Sequence, residues 1–204
     1  MPDKKSSGHN SKKEFLNKPV EHIDITSFDA RKIISSMEKM SFVSRETANA
    51  AKIFNEMIKD NDCTIFLTLA GSTSAAGCMN VYRDLVKYNM VDAIIATGAS
   101  IIDMDFFEAL GFKHYQGSQF QDDMELRKNY IDRIYDTYID EDELQTCDKT
   151  ICEIADGLEP KNYTSREFIH EIGKYLKQHS IKKGSLIETA YDNGVPIFCP
   201  AFTD

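Results

Sequence analysis

The stretch Cys63–Ser100, CTIFLTLAGSTSAAGCMNVYRDLVKYNMVDAIIATGAS, decides the fold. It opens on a continuous apolar run, Cys63 to Gly71, that closes in small residues. A strand buried on both faces of a parallel sheet reads this way. From about Ala75 the period changes, and Met79, Tyr82, Leu85 and Val86 fall at helical spacing. A second buried strand, Val91 to Ala96, ends in Thr97, Gly98, Ala99 and Ser100, and a helix over IDMDFFEAL starts at once. Strand, small-residue turn and helix therefore occur twice, which predicts right-handed crossovers in a parallel sheet.

Upstream, residues 1 to about 20 carry five Lys against Asp3 and Glu14. They read either as a disordered tail or as a mobile arm for an acidic partner. From Ser27, Asp29 can cap a helix carrying Ile33, Ile34, Met37 and Met40 on one face. Ser44 opens a second helix with a stripe of Ala48, Ala51, Ile53, Phe54 and Met57. Downstream, Lys113 to Gly117 predicts a short strand, and Asn129 to Ile139 a helix with Ile131, Ile134, Tyr135 and Tyr138 on one side. Asp140 to Glu159 is an acidic run threaded at helical spacing by Leu144, Cys147, Ile151, Ile154, Ala155 and Leu158, the pattern of a helix with a solvated face. Thr164 and Glu167 make a capping box for SREFIHEIGKYLKQH. Ser185 starts a short helix closed by Gly194, and Val195 to about Ala201 gives a further buried strand. Each earlier buried strand is followed by a helix able to cover the sheet, and this one is not. A bare face exposes apolar area at about 25 cal/mol per Å2, so a fragment of a longer reading frame is expected.

The chain has 204 residues with 24 Lys and Arg against 33 Asp and Glu, a formal net charge of -9. That charge disfavours wrapping nucleic acid or an anionic membrane. No apolar run is long enough to span a bilayer, and the N-terminus has no apolar stretch of a secretory signal. The five cysteines, Cys63, Cys78, Cys147, Cys152 and Cys199, are odd in number and widely spaced. Neither a disulfide framework nor a zinc site is indicated, and a reducing, cytoplasmic setting is expected.

In an open α/β sheet, ligands bind beyond the carboxyl ends of the strands. The first such corner, Gly71, Ser72, Thr73, Ser74 and Ala75, has small side chains that admit a ligand to the backbone. It reads as a phosphate loop or as a tight turn. The second, Thr97, Gly98 and Ala99, is followed by Asp103 and Asp105, which suit ribose hydroxyls, an ammonium group, or a helix N-terminus. Thr203 and Asp204 follow the last strand and read as a site or as an ordinary helix cap. His9, His22, His114, His170 and His179 fall in no catalytic motif. His114 reads as packed or hydrogen-bonded, while His170 and His179 read as surface residues on helices. Lys87 and Lys113 are the lysines nearest the strand ends, and neither has an apolar, pKa-lowering setting.

The block Cys63–Ser100, with NMVD before its second strand, resembles the deoxyhypusine synthase family. GVPIFCPAFTD is similar to that family's strand ending in P-A-x-T-D, and RIYDTYIDEDEL and SREFIHEIGKYL look like its connecting helices in the prokaryotic branch. The resemblance runs from roughly Val20 to Asp204. It implies a Rossmann-like three-layer α/β fold with a mostly parallel sheet, truncated at the C-terminus. It also implies an NAD-dependent transfer of an aminobutyl or related group from spermidine or a similar polyamine, through an enzyme-lysine imine. The acceptor would be a lysine of translation initiation factor 5A or a small amine.

Carried over by position, NAD would be held by Gly71, Ser72, Thr73, Ser74, Ala75, Thr97, Gly98, Ala99 and Asp204. The amine-binding acid falls on Asp103, with Asp105 an equal candidate because this segment is one residue longer than in eukaryotic members. Ile102 stands where those members have a neighbouring acid. The nucleophilic lysine is expected beyond Asp204, so the chain alone is expected to be inactive, and a homotetramer is implied. The alternative is a non-catalytic shortened paralogue that binds and regulates a full-length member.

Overall fold

The computed structural model of the chain describes residues 11–200 and Phe202. In chain order its elements begin with α1 (Lys12–Phe15), a 3-10 turn (Ile25–Ser27), α2 (Arg31–Met37) and α3 (Phe42–Lys59). Then come β1 (Phe66–Leu69), a π-helical turn (Ser74–Cys78), α4 (Met79–Lys87), β2 (Ala93–Ala96) and a π-helical stretch (Ala99–Phe106) that runs into α5 (Phe107–Ala109). After these follow β3 (Tyr115–Gln116), α6 (Asp123–Lys128), β4 (Ile131–Ile134), β5 (Thr137–Asp140), α7 (Glu141–Asp156), α8 (Ser165–His179), α9 (Leu186–Asn193) and β6 (Ile197–Phe198).

The parallel sheet runs in the order β1-β2-β6. Leu67, Ile94 and Ile197 are in register on one face, and Thr68, Ile95 and Phe198 on the other. The first face is buried with Val86, Ile172, Leu176 and Ile187 from α4, α8 and α9. On the second face Phe66, Ile95 and Phe198 stand exposed. The βαβα reading is thus observed, with helices packed on one side among the described residues.

α8 begins on the expected capping box, with Thr164 Oγ1 accepting from the Glu167 N–H and the Glu167 carboxylate accepting from the Thr164 N–H. α9 ends at Gly194 in the left-handed region, φ 69°.

Three expectations change. The helix expected over 129–139 is a hairpin, β4 and β5 paired antiparallel around Tyr135, φ 56°. Its run of Ile, Tyr and Thr suits a pleated surface, and spacings of three and four in so short a window do not separate helix from strand. β3 adds to β5, making a second, antiparallel sheet in the order β3-β5-β4. Of the expected tail, residues 1–10 lie outside the described residues, and residues 11–20 pack against the rest of the chain. Phe15 is buried edge-on against Tyr138, and Pro19 bridges to Tyr115. The stripe on α2 and α3 is only partly covered: Ala48 is buried, Phe54 and Met57 reach the core, and Ile33 and Ile53 stay exposed. α3 also starts two residues before Ser44, at Phe42.

Candidate functional site

Because β1 and β2 are neighbours and parallel, their carboxyl ends open side by side. The chain leaves β1 through Gly71, φ 69°, and a Cβ built there meets no atom within 4 Å. The corner then winds into a π-helical turn, with Ala76 N–H donating to the Ser72 carbonyl (3.1 Å) and Cys78 N–H to that of Thr73 (3.3 Å). The Thr73 hydroxyl accepts from Tyr82 Oη at 2.6 Å, and the buried Ser74 hydroxyl donates to Met104 Sδ at 2.8 Å. Among the described residues, the half-buried Ser72 hydroxyl has no partner within the chain.

The second corner is tied to the first. Ser100 Oγ donates to the Gly71 carbonyl at 2.9 Å and lies 3.3 Å from Thr97 Oγ1. Gly98 and Ala99 lead directly into the π-helical stretch. The structure therefore brings together Gly71 to Ala75 and Thr97 to Ala99. Asp204, and the neighbouring Ala201 and Thr203, lie outside the described residues. β6 is the neighbour of β2, so its carboxyl end, at Cys199 and Pro200, reaches the same edge of the sheet. A hollow of about 750 Å3 opens there beside Thr164, Ser165 and Phe168.

The two candidate acids part company. Asp105 is 1% exposed and caps α9, accepting from the Leu186 and Ile187 N–H groups at 2.7 and 2.8 Å. Burial pushes its carboxyl up to about 6 against the pull of those two donors. Both oxygens are engaged and the group is buried, so an ammonium group from solvent has no access to it. Asp103 is half-buried without a hydrogen bond, and its carboxyl is raised first by burial and then by repulsion from Asp148 on α7. A pair of carboxylates held near each other is relieved by a cation.

Sequence reasoning missed Ser100 as the tie between corners and Asp148 as the partner of Asp103. Asp148 sits in an acidic run whose bland reading is a solvated face, and only the packing of α7 on the π-helical stretch reveals its neighbour. The buried Cys147 thiol donates to the Ile102 carbonyl, and burial pushes it up to about 12, which makes it inert. Among the described residues no cluster of His, Cys, Asp and Glu could hold a metal ion, and no helix is long and apolar enough to cross a membrane.

A family model described as deoxyhypusine synthase matches residues 32–204. The chain belongs to the deoxyhypusine synthase family. It is 67% identical over 197 residues to the deoxyhypusine synthase-like protein of Caulobacter vibrioides, covering 96% of this chain and 54% of that relative. Its identity to the deoxyhypusine synthase-like protein of Coxiella burnetii is 64%, covering 100% of this chain and 58% of the relative. The chain thus spans about half the length of these curated relatives. A crystal structure assigned as a deoxyhypusine synthase from Entamoeba histolytica superposes with a TM-score of 0.57 at 18% identity. It covers 91% of this chain and 63% of that one, a likeness of fold. For a deoxyhypusine synthase family member, the corners at β1 and β2 are where the sequence resemblance placed the cofactor residues, and the fold sets them next to each other.

Proposed function

We propose that the chain provides the dinucleotide-binding side of an NAD-dependent transferase of the deoxyhypusine synthase family. The enzyme would move an aminobutyl or related group from spermidine or a similar polyamine to an acceptor amine. That acceptor is either a lysine of translation initiation factor 5A or a small amine. The observation that carries the reading is the pair of small-residue corners at the carboxyl ends of adjacent parallel strands, joined by the bond from Ser100 to Gly71.

The residues fit a dinucleotide on their own geometry. Gly71 faces open space where a side chain would stand, and the Ser72 hydroxyl is free to donate. Gly71 to Ala75 would take one part of the ligand, and Thr97, Gly98 and Ala99 the other, with Asp204 as the acid at the end of the third strand. When bound, NAD supplies a hydride acceptor that becomes a donor within the same turnover. The chain's own residues bind and orient. The corners admit a backbone-close approach, Ser100 holds them at fixed separation, and Asp103 beside Asp148 accepts the amine's N–H groups. The amine-capturing lysine would come from outside residues 1–204, in a cytoplasmic homotetramer whose sites are shared between subunits.

The test is NADH fluorescence on titration of the purified chain, repeated with Gly71→Val, which fills the open approach. Enhanced emission in the parent and its loss in the variant support the reading. No binding by the parent overturns it. Spermidine-dependent NADH formation by the chain alone would overturn the placement of the lysine elsewhere.

A further inference from the structure

We propose that His22 is a positioning residue for the first corner, coupling the buried carboxylate of Glu108 to the backbone that leaves the corner at Gly77–Met79. The coupling itself stands on geometry, and only its consequence for NADH rests on the function proposed above.

The His22 side chain is 6% exposed. Its Nε2 lies 2.7 Å from Glu108 Oε2, and its Nδ1 accepts from the Met79 N–H at 3.3 Å. These partners fix the tautomer: the acceptor role of Nδ1 leaves Nε2–H to donate to the carboxylate. Residues on either side of His22 grip the same place. Ile23 N–H donates to the Gly77 carbonyl at 3.0 Å, and Asn80 Nδ2 donates to the His22 carbonyl at 3.4 Å. The Glu21 carbonyl oxygen lies 2.9 Å from where a Cβ of Gly77 would stand, and Gly77 has φ 101°. Glu21, His22 and Ile23 thus close on the exit of the corner.

The other end of the coupling is rigid. Glu108 is 5% exposed and also accepts from His114 Nδ1 at 2.9 Å and from Lys182 Nζ at 2.5 Å. Burial alone would raise its carboxyl, but the bonds from His114, His22 and Lys182 hold it well below the usual carboxylate range. A fixed anion, gripped from three segments far apart in sequence, is an anchor. His22 is the side chain that passes this anchorage to a backbone amide just beyond the corner.

Amide hydrogen exchange at Ile23 and over residues 71–79, together with NADH affinity, tests the coupling in the full chain and in three variants. His22→Ala should speed exchange at the Met79 and Ile23 amides and weaken NADH binding, each by about three- to tenfold, the worth of one hydrogen bond. His22→Gln, whose amide carries a donor and an acceptor on one planar group, should restore both. Lys12→Ala breaks a remote tie of the same segment, to Asp140 and Asp142, and should lower the thermal midpoint while changing neither readout. If His22→Ala does not fold, His22→Leu, which keeps the bulk without either nitrogen, is read in its place. Unchanged exchange at Met79 in the alanine or leucine variant overturns the proposal. So does failure of the glutamine variant to restore it, or an equal effect from Lys12→Ala. If the parent chain does not bind NADH, the dinucleotide reading falls while the exchange measurements still decide the coupling.

Discussion

Replacing Asp105 with alanine separates its two readings, amine ligand and helix cap. The carboxylate caps α9 from a site that is 1% exposed, and both oxygens accept backbone N–H groups. Truncation leaves two buried donors unpaired at about 1–3 kcal/mol each, so Asp105→Ala should cost about 2–6 kcal/mol in urea unfolding. Asp105→Asn keeps one acceptor and should cost about half as much. The pH dependence gives a second handle. Folding lifts the carboxyl from 3.8 to about 6, so the folded state binds the proton more tightly than the unfolded one. Stability from this group is therefore fully present below the unfolded value and lost as pH rises through the folded one. Between about pH 7 and about pH 5 the parent should gain about 1 kcal/mol relative to Asp105→Asn. A cost below about 1 kcal/mol for the alanine variant would refute the capping argument. Loss of polyamine recognition at unchanged stability would refute it equally.

Four other outcomes follow from the same geometry. Asp103→Asn should raise the spermidine KM of the assembled enzyme while leaving the thermal midpoint unchanged or slightly higher, because it relieves repulsion from Asp148. Glu108→Gln should flatten the acid limb of the stability curve. The parent's carboxyl is held below its ordinary 4.5, so its contribution is present above that value and lost as pH falls, which urea midpoints at about pH 5 and about pH 3 would reveal. Gly77→Ala meets both φ 101° and the Glu21 carbonyl, and should cost about 1–3 kcal/mol by thermal unfolding together with weaker NADH binding. Ser100→Ala removes the tie to Gly71; it should cost about 1 kcal/mol of stability, and calorimetric titration should show a clear drop in NADH affinity.

The parallel sheet was legible because β1 and β2 are short, apolar and followed at once by small residues, a pattern that few other folds produce. The caps at Thr164 and Gly194 were legible for the same reason, since each residue type has a specific backbone task there. What escaped depended on contacts distant in sequence. Asp103 and Asp105 look equivalent in a string, and only the arrival of α9, some eighty residues later, occupies one and leaves the other open. The hairpin at 131–140 escaped because its pairing with β3 supplies what local propensity leaves open. By composition the lysine-rich terminus reads as a tail, yet Lys12, Phe15 and His22 tie residues 11–23 to the rest of the chain.

The hairpin and the seating of residues 11–20 are physically linked. The β3-β5-β4 sheet buries Tyr138, and Tyr138 is the surface on which Phe15 lands. From there the chain pairs with the backbone of 114–116 through Val20 N–H to the His114 carbonyl (2.8 Å) and Gln116 N–H to the Lys18 carbonyl (2.7 Å). That course brings His22 between Glu108 and Met79. Had 129–139 been a helix, there would be no β5 for β3 to pair with and no seat for Phe15, and residues 11–20 would have been the tail their composition suggests. The small antiparallel sheet is separate from the parallel one, yet it sets where the N-terminal segment runs. Through that segment, by the Phe15 contact and the hydrogen bonds of residues 18–22, it bears on the corner leaving β1.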